Sequence, residues 1–600
     1  MTTADDDSIG AGSAAPRIVE VEQRMAQLPM LRKLLNGLVP ISEQDDRPIS
    51  GLALDSRVVV GGDAFIALTG AKQHGLAHLE QAINNGACAV IFDPVGNGGQ
   101  LAGVVEANSS ASGAQVNSPL QIPMIAVENL GLKLGELAAR FYGEPSRSMT
   151  VIGITGTNGK TSCSQFLSQM LDDCGIIGTL GWGEWGKLNK TQNTTPDALA
   201  IQKILAELLT DKKRVVAMEV SSHGLEQGRV NGVLFKGAVF TNISRDHLDY
   251  HGTMDAYVQA KLALLNTPGL AFAVVNLDDA YSGQIIAASP KSVQLWQFSV
   301  NGKTADSGEC VNAENILHKT DGIEFDLRWQ DQLQRVKVPL YGDFNVENVL
   351  AVLTVMLAMG ISINDAAKRL DHLQPVDGRM ERFGGKTDPL IFVDYAHTPD
   401  ALDKVLSSMR KHCKQALWVV FGCGGNRDTG KRPQMGKIAE QWADHVVITD
   451  DNPRYENGLD IVNDILAGCG STAGDGGRDG SRQSSAFPPS LEVRSVATGT
   501  TAWMQDDCKD AGGRAMQGAV AEVEQRMEQL PREPVRPTKI EVIQNREQAI
   551  QQVITKAAVN DCVVIAGKGH EQYQEINGVQ LPFSDRLVVM EALKMRAEKL

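Results

Sequence analysis

The sequence has few of the features that cross-link a chain or carry it into a membrane. Its 600 residues include only nine cysteines, with no C-x-x-C pair among them, so we expect neither a zinc site nor a disulfide framework. The longest apolar run, 349–361, is interrupted by Thr354 and Gly360 and is too short to cross a bilayer. The N-terminus, MTTADDDSIGAGSAAP, lacks the apolar stretch of a signal peptide. We therefore expect a cytoplasmic protein.

Positive charge is also scarce. The chain has 57 lysines and arginines against 72 aspartates and glutamates, which gives a net charge of −15. Binding to nucleic acid or to an anionic membrane surface generally needs an excess of positive charge, so neither is expected as a main partner. The 42% hydrophobic content is that of a globular protein, and the length predicts roughly two to four domains.

Short Val- and Ile-rich runs with polar C-terminal ends alternate with helical patterns. The runs are TVIGIT, RVVAMEV, GAVFTNI and AFAVVNL in the middle of the chain, and PLIFVDY, ALWVVFG, HVVITDD and CVVIAGK after Pro375. Such runs are typical of buried parallel strands with helices between them. The prediction is an α/β protein with a small N-terminal α/β domain, a central P-loop-type domain and a C-terminal Rossmann-like domain.

The predicted boundaries are an extension at 1–26 and domains at 27–147, 148–375 and 376–600. A Gly/Ser-rich stretch at about 468–537 is low in complexity and is predicted to be an insertion in the last domain. It contains EVEQRMEQLP, which repeats EVEQRMAQLP at 20–29 with one difference. We interpret the two copies as a duplicated peripheral helix, without a chemical role. A further Gly/Ser/Asn-rich stretch, 94–118, is predicted to be a surface loop.

A candidate phosphate-binding loop, GTNGKT at 156–161, follows the strand pattern TVIGIT. The stretch after it, TSCSQFLSQMLDDCG, predicts a helix with Phe166, Met170 and Cys174 on one face and Gly175 as its stop. A strand-to-helix turn offers backbone N–H groups, a helix N-terminus, a lysine and a hydroxyl for Mg²⁺. The usual pattern has a glycine where this chain has Ile154. The alternative is a plain turn that contains Gly-Lys-Thr, and the strand and helix context favours the nucleotide site.

Polar side chains follow the neighbouring strands, where ligands of open α/β sheets collect. Glu219 and His247 suit Mg²⁺ coordination beside Thr161, although a histidine at such a place is often purely structural. Lys261 lies in the amphipathic pattern DAYVQAKLALL, and the residues alone favour a solvated helical lysine.

Three polar loops are predicted to converge in the last domain. Arg427 lies in GCGGNRDTGKR, and TDDNPRYE contains Asp451, Asn452 and Arg454. AGKGHEQYQ contains Gly567, Lys568, His570 and Glu571. Two arginines with nearby acceptors would suit a small zwitterion with carboxylates and an amine. The alternative is an ion-pair network among the protein's own side chains.

A series of ordered motifs resembles those of the ATP-dependent peptide ligases that build the peptidoglycan stem, the Mur ligases. They are GITGTNGKTS, NTTPD, EVSSHGLEQGRV, DHLDYHGTMDAYVQAK, GDFNVENVLA, DGRMERF and DYAHTPDAL. GGNRDTGKRP, DNPR and AGKGHEQYQ resemble the branch that adds the third residue. The resemblance runs from about Gly51 to the C-terminus, except at 94–118 and 468–537. It implies a monomeric ligase that adds meso-2,6-diaminopimelate to a UDP-N-acetylmuramoyl dipeptide in cytoplasmic peptidoglycan synthesis.

The resemblance also implies roles for single residues. An ATP site is implied at Gly156, Thr157, Asn158, Gly159, Lys160, Thr161, Ser162, Asn345, Arg379, Asp394 and His397. Asn345 and Asn348 are the positions implied near the adenine. Mg²⁺ would be held by Thr161, Glu219 and His247, and Lys261 would carry a CO₂-derived carbamate that helps to hold metal. Lys160, Lys261 and His247 are implied as the catalytic set. The UDP-sugar peptide would contact Leu54, Ser56, Asn193, Thr194, Thr195, Ser221, Gln227 and Arg229 in the 27–147 domain and the central domain.

Diaminopimelate would lie among Arg427, Asp451, Asn452, Pro453, Arg454, Gly567 and Glu571. It differs from lysine by one distal carboxylate, which Arg454 can pair with bidentately, whereas lysine would leave this arginine facing a second cation. The implied reaction runs through an acyl phosphate. Two other functions stay open at this point: a folylpolyglutamate-type ligase, which shares the central fold, and a nucleotide-gated scaffold that binds partners through 1–29 and 468–537.

Overall fold

The computed structural model describes residues 28–70, 73–95, 98–100, 122–319, 321–470 and 538–598. Within these ranges the chain forms three successive sheet-centred α/β units. Both EVEQRM segments, most of the 94–118 stretch and almost all of 468–537 lie outside the described residues, so the helix, loop and insertion predicted there stay predictions. None of the described helices is both long and apolar enough to cross a membrane.

The first unit is a four-stranded parallel sheet in chain order. Its strands are β1 (Gly51–Ala53), β2 (Asp63–Ala67), β3 (Ala89–Phe92) and β4 (Met124–Ala126). Its helices are α1 (Leu31–Leu34), α2 (Leu79–Asn84) and α3 (Leu130–Phe141). Apolar clusters cover the two faces of the sheet, and α3 buries its Leu130, Leu134 and Leu137 stripe on one of them.

The second unit is an 11-stranded sheet in the order β15-β14-β13-β12-β11-β10-β5-β9-β6-β7-β8. Its strands are β5 (Thr150–Thr155), β6 (Cys174–Gly178), β7 (Gly181–Glu184), β8 (Lys187–Asn189), β9 (Val215–Glu219), β10 (Phe235–Phe240), β11 (Phe272–Asn276), β12 (Gln294–Ser299), β13 (Glu309–Lys319), β14 (Gly322–Trp329) and β15 (Gln332–Val338). The pairs from β6 to β13 are parallel, and antiparallel hairpins extend both edges.

Helices cover both faces of this sheet. They are α4 (Lys160–Met170), α5 (Ala198–Thr210), α6 (Ser222–Glu226), α7 (Leu248–His251), α8 (Met254–Leu262), α9 (Ser282–Ala288), α10 (Asp343–Ala358) and α11 (Ile363–Arg369). Along β5, Ile152 and Ile154 face one apolar cluster and Val151 faces the other, as the two-residue period of a strand requires. The central strand is therefore buried on both sides and its carboxyl end is held rigidly. The apolar run begins inside the buried helix α10, which contains its residues 349–358.

The helix predicted after the phosphate loop is shorter than expected. It ends at Met170, and Asp173 takes a left-handed turn with φ +53°. Cys174 and Gly175, predicted as the helix face and its stop, instead begin the buried strand β6. A Cβ on Gly175 would lie 2.9 Å from Leu208, so the glycine lets α5 pack directly on this strand. The prediction was wrong because CGIIG is too short for periodicity to separate it from the preceding helix.

The third unit is a six-stranded sheet in the order β16-β17-β21-β18-β19-β20, parallel except for β16. Its strands are β16 (Glu381–Gly384), β17 (Leu390–Asp394), β18 (Leu417–Phe421), β19 (His445–Ile448), β20 (Lys539–Val542) and β21 (Cys562–Ala566), and a hairpin adds β22 (Tyr573–Ile576) and β23 (Val579–Pro582). Its helices are α12 (Pro399–His412), α13 (Lys431–Trp442), α14 (Gly458–Leu466), α15 (Arg546–Lys556) and α16 (Asp585–Ala597).

Candidate functional site

A cleft of about 220 Å³ lies where the carboxyl edge of the central sheet meets the third unit. It brings together many residues that the sequence analysis singled out. They are Thr157, Asn158, Gly159, Lys160, Thr161, Ser162, Thr194, Glu219, His247, Arg379, Asp394 and His397. The order of the strands explains the gathering, because β5 lies between β9 and β10 and all three end at this edge.

The 156–161 loop joins the end of β5 to the start of α4, and two of its positions accept only glycine. Gly156 has φ +149°, and a Cβ there would lie 2.0 Å from Thr241 Oγ1. Gly159 has φ +86°, and a Cβ there would lie 2.4 Å from Asn348 Oδ1. The loop backbone thus packs against the next strand end and α10, with the N-terminus of α4 open to the cleft. This geometry suits a phosphate cradle better than a plain turn.

Two lysines meet beneath the loop. Lys160 Nζ donates to the carbonyl oxygens of Gly156 at 2.7 Å and Thr157 at 2.9 Å. Lys261 Nζ, from α8, donates to the same Gly156 oxygen at 2.9 Å. Burial lowers the pKa of Lys160. Burial and then the neighbouring Lys160 charge hold the pKa of Lys261 well below its usual value.

Lys261 is 1% exposed, so the expectation of a solvated helical lysine is wrong. Lys261 lies on the buried face of α8, together with Tyr257 and Val258, and this helix packs against α6 and α7. Its ammonium also lies 4.6 Å from the centre of the Tyr257 ring. The site therefore contains a second buried amine beside the loop lysine.

Hard oxygen ligands lie beside the loop. Thr161 Oγ1 donates to Glu219 Oε2 at 2.9 Å, and Glu219 is fully buried at the end of β9. Its oxygens also accept from the backbone N–H and the hydroxyl of Thr179, both at 2.9 Å. Such donors fit Mg²⁺, which usually binds one or two protein oxygens and keeps water and phosphate oxygens as its other ligands. In the described ranges no three histidine, cysteine or acidic side chains are clustered closely enough to enclose a metal.

His247 lies at the same edge, just before α7, with φ +55°. Burial lowers its pKa to about 4. Its imidazole is therefore neutral at pH 7, which is the form that ligates a metal. Its Nε2 lies 3.4 Å from Asp246 Oδ2, so a carboxylate also orients the ring.

The third unit contributes Arg379 to the cleft opposite the loop. Its Nη2 lies 3.3 Å from Thr161 Oγ1, and its guanidinium packs 4.4 Å from the centre of the Tyr395 ring. Its buried Nε has no hydrogen-bond partner among the described residues. A buried cationic donor without a partner is suited to an anion, so the arginine fits a phosphate group between the two units.

Asp394 and His397 also face the cleft from the third unit. Asp394 accepts the backbone N–H groups of Met380 at 2.7 Å and Ala396 at 2.8 Å, and burial raises its pKa. Burial lowers the pKa of His397, whose Nδ1 lies 2.7 Å from Tyr395 O. Asn158 in the loop donates to Asp400 Oδ2 of α12 at 2.9 Å, which ties the loop to the third unit.

Asn345 does not line the cleft. It is buried and donates to Tyr341 O at 2.8 Å, while its Oδ1 accepts from Asn348 Nδ2 at 3.2 Å. Asn348 is the residue of this pair that lines the cleft. Asn348 therefore faces the cleft, and Asn345, three residues earlier on α10, accepts its amide hydrogen bond.

Several cleft residues were not predicted from the sequence, among them Thr179, Phe344, Glu347 and Lys404. Of these four, Thr179 is the one that a strand end could have marked. Thr179 lies at the end of β6, and the strand-end argument would have found it if β6 had been recognised. The other three lie on α10 and α12, where nothing in a helical pattern marks the turn that faces a cleft.

The residues expected to contact the UDP-sugar peptide form two groups. In the central unit, Thr195 Oγ1 donates to Glu219 O at 3.0 Å and accepts Ser221 N at 2.9 Å. Arg229 donates to Thr195 O at 2.8 Å and to Gln227 Oε1 at 2.6 Å. Thr194 lies next to them, with Oγ1 3.0 Å from Thr179 Oγ1, and the exposed Asn193 precedes it.

Leu54 and Ser56 follow β1 in the first unit. Ser56 is buried and donates to Gln81 Oε1 at 2.7 Å. Among the described residues, no hydrogen bond joins these two to the central group. A ligand that touches both groups would therefore span two units.

The residues expected to hold the amino acid lie close together in the third unit. Asn452 Nδ2 donates to Glu571 Oε2 at 2.9 Å, and Arg454 Nε contacts Glu575 Oε2 at 3.1 Å. A Cβ on Gly424 would lie 3.0 Å from Arg454 Nη1 and 3.9 Å from Arg427 Cγ, so the two arginines flank this glycine.

The remaining members of this group are backbone and acidic elements of the same loops. Gly567 has φ +116°, and its Cβ position lies 3.2 Å from Asp451 Oδ2. The carbonyl oxygen of Pro453 would lie 2.0 Å from a Cβ on Gly425, so the 424–425 and 451–454 loops are in direct contact. The ion-pair alternative is thus present in part, through the Arg454–Glu575 contact. The group is a polar cluster that contains side chains of both charges.

Comparison with known proteins covers nearly the whole chain. The Mur ligase family catalytic domain matches residues 48–142, the Mur ligase middle domain matches 154–356, and the Mur ligase glutamate ligase domain matches 378–486. The UDP-N-acetylmuramoyl-L-alanyl-D-glutamate–2,6-diaminopimelate ligase of Alkalilimnicola ehrlichii is 40% identical over 567 residues, which covers 94% of this chain and 98% of that protein. The ligase of the same name from Pseudomonas aeruginosa is 41% identical over 555 residues and covers 92% and 96%.

Solved structures of Mur ligases also resemble this chain along most of its length. A UDP-N-acetylmuramoyl-L-alanyl-D-glutamate–2,6-diaminopimelate ligase superposes with a TM-score of 0.59 at 31% identity and covers 95% of this chain and 99% of that chain. A folylpolyglutamate synthase from Mycobacterium tuberculosis superposes with a TM-score of 0.51 at 17% identity, which shows a shared fold alone. From the family matches in all three units and the high identity along nearly the full length, the chain belongs to the Mur ligase family.

Proposed function

We propose that this protein is an ATP-dependent ligase that joins meso-diaminopimelate to UDP-N-acetylmuramoyl-L-alanyl-D-glutamate. Relatives that carry this activity in their names are 40–41% identical over more than nine-tenths of the chain. We further infer a cytoplasmic location, because ATP is the co-substrate, and a monomer, because one chain supplies both sides of the cleft.

The ATP triphosphate would lie on the 156–161 loop. In the structure, Lys160 Nζ donates hydrogen bonds to two carbonyl oxygens of the loop. Rotation of its side chain would bring the ammonium to the β- and γ-phosphates. Arg379 would meet the same phosphates from the third unit through its unpaired Nε. Mg²⁺ held by Thr161, Glu219 and His247 would supply charge neutralisation of the phosphate oxygens.

The D-glutamyl carboxylate attacks the γ-phosphorus, which forms an acyl phosphate and releases ADP. The amine of diaminopimelate then attacks the acyl carbon, and the resulting tetrahedral adduct loses phosphate to leave the amide. The protein contributes positioning and charge neutralisation more than covalent chemistry. Contacts such as Asn158–Asp400 hold the third unit over the loop, and they would exclude water that could hydrolyse the acyl phosphate.

Lys261 fits carbamylation. Its buried amine has a strongly lowered pKa, so the neutral form that attacks CO₂ is available at neutral pH. Attack on the carbon with loss of one amine proton gives a carbamate anion, and the adjacent Lys160 ammonium would pair with it. The carbamate would add an anionic oxygen ligand near Thr161 and His247.

The observation that carries the choice of amino acid is the environment of Arg454. Its Nε and Nη1 are bonded to Glu575 and to Gly425 O, whereas Nη2 makes no hydrogen bond to the described residues. Nη2 therefore remains for the distal carboxylate that distinguishes diaminopimelate from lysine. Glu571, which accepts a hydrogen bond from the neighbouring Asn452, would accept a further one from the distal amine.

An amino-acid panel tests the function. Wild type should release phosphate only with both the UDP-muramoyl dipeptide and meso-diaminopimelate. It should prefer this amino acid over L-lysine by about 100-fold or more in kcat/KM, because lysine lacks the distal carboxylate and would leave the polar groups that bind it unpaired. Arg454→Ala should lose most of this preference, and Arg335→Ala, which removes an exposed arginine of β15, should keep it. A wild-type preference for lysine would refute the substrate choice, and phosphate release without any amino acid would refute the ligase.

A further inference from the structure

The pocket proposed for the amino acid contains a buried lysine that the reaction above does not use. The Lys568 side chain is 0% exposed. Its Nζ lies 2.8 Å from Glu571 Oε2, 2.9 Å from Asn452 Oδ1 and 3.4 Å from Asp451 Oδ1. Because an unpaired buried ammonium is very costly, these three contacts hold the 451–452 and 568–571 loops in one arrangement.

Lys568 determines which way the Asn452 amide faces. Asn452 Oδ1 accepts from Lys568 Nζ and from the backbone N–H of Glu575, both at 2.9 Å. Both groups are donors only, so the oxygen must face them and the NH₂ must point the other way. That NH₂ donates to Glu571 Oε2.

Glu571 is thereby engaged through one oxygen. Oε2 accepts from Lys568 and from Asn452, whereas Oε1 accepts no hydrogen bond from the described residues. The free oxygen belongs to a carboxylate whose rotation is blocked by two donors. An incoming ammonium would meet a preoriented acceptor, and it would lose little free energy to ordering the side chain.

We propose that Lys568 is a positioning residue that sets Glu571 and Asn452 for the distal amine of the diamino acid substrate. This inference rests on the proposed function. Lys568 does not contact the substrate itself. It offsets the repulsion between the Asp451 and Glu571 carboxylates and engages Glu571 Oε2, so that Oε1 remains to accept a hydrogen bond from the substrate.

Lys568→Met tests the role, because methionine keeps much of the aliphatic stem and removes the ammonium. The KM for meso-diaminopimelate should rise by about 10- to 100-fold, the effect of losing a hydrogen bond to a charged group. The KM values for ATP and for the UDP-muramoyl dipeptide should stay within about threefold, because the side chains that hydrogen-bond Lys568 Nζ all belong to the amino-acid group. Lys568→Arg, which keeps the charge and the donors, should recover part of the affinity.

A double-mutant cycle separates positioning from general destabilisation. In a Glu571→Gln background, Lys568→Met should add little to the KM for diaminopimelate, because the group it positions has already lost its charge. Lys213→Met is the matched control, since Lys213 is a largely buried lysine paired with Glu184 at the opposite edge of the central sheet, and it should leave all three KM values unchanged.

Several outcomes would overturn the inference. They are an unchanged KM for diaminopimelate in Lys568→Met, equal increases in all three KM values, Lys568→Arg performing no better than Lys568→Met, or full additivity with Glu571→Gln. If Lys568→Met does not fold, the comparison of Lys568→Arg with wild type decides, because a positioning role predicts a change confined to the KM for diaminopimelate. Wild type assayed in parallel separates the two proposals: failure of wild type to form the tripeptide refutes the function itself.

Discussion

Lys160 and Lys261 donate hydrogen bonds to the same carbonyl oxygen, that of Gly156, at 2.7 and 2.9 Å. Two ammonium groups this close repel each other, and the interior screens them weakly. Burial and this repulsion together lower the pKa of Lys261, which makes its neutral amine available. The relationship joins the lysine of the 156–161 loop to a buried amine on α8.

Lys261 should therefore react with CO₂. Wild type prepared in ¹³C-bicarbonate should show a carbamate carbon signal by NMR, and Lys261→Met should lack it and lose at least about 100-fold in kcat, the cost of removing a charged group that acts on the reacting phosphates. Lys236→Met, which removes an exposed lysine of β10, should keep both signal and rate. A wild-type spectrum without the signal would contradict the prediction.

Glu219 should set the affinity for Mg²⁺. Glu219→Gln keeps the size of the side chain and removes the charge, so the Mg²⁺ concentration for half-maximal activity should rise by about 10-fold or more. A titration of initial rate against Mg²⁺ measures this shift. Glu314→Gln, in the β13–β14 hairpin, should give the wild-type curve. An unchanged curve for Glu219→Gln would show that the metal binds elsewhere.

Breaking a buried ion pair should destabilise the third unit. Arg546 and Asp585 are each 0% exposed, and Nη2 lies 2.7 Å from Oδ2. Arg546→Met leaves the buried Asp585 carboxylate without its partner and should lower the free energy of unfolding by about 3–5 kcal/mol. Arg546→Met combined with Asp585→Leu should lower it much less. Urea unfolding measures both. Arg57→Met, which breaks an exposed pair with Asp55, should leave the midpoint unchanged, and equal losses in the single and double variants would contradict the argument.

His412 should make stability fall as pH drops. Burial lowers its pKa from 6.5 to about 4, so between these values the unfolded chain binds a proton that the native state does not. The free energy of unfolding therefore decreases as pH falls from 6.5 to about 4.

The share of His412 is measurable. His412→Gln should flatten the slope by at most about 1 kcal/mol per pH unit, less where solvent screens the ring. Urea unfolding at a series of pH values gives the slope, and the exposed His372→Gln is the control. A steeper dependence of the free energy of unfolding on pH in His412→Gln would contradict the prediction.

Local patterns in the sequence predicted much of the architecture. The Val- and Ile-rich runs marked the parallel strands, because a strand buried on both faces must be apolar along its length. The loop at 156–161 was predicted from Gly156, Gly159, Lys160 and Thr161. A sharp turn before a helix depends on the conformations of a few consecutive residues, so the local sequence is enough to predict it. The same reasoning failed at Cys174, where a short strand follows a helix too closely for its period to be seen.

By itself, the sequence determined the α/β class, the strand-to-helix loop at 156–161 and the polar residues that end each strand, because these depend on residues close together in the chain. Only the tertiary structure decided that Lys261 is buried, that Asn348 rather than Asn345 faces the cleft, and that Lys568 holds two distant loops together. Burial and pairing arise from contacts between segments more than a hundred residues apart, as between Lys568 and Asp451, and no local pattern encodes them.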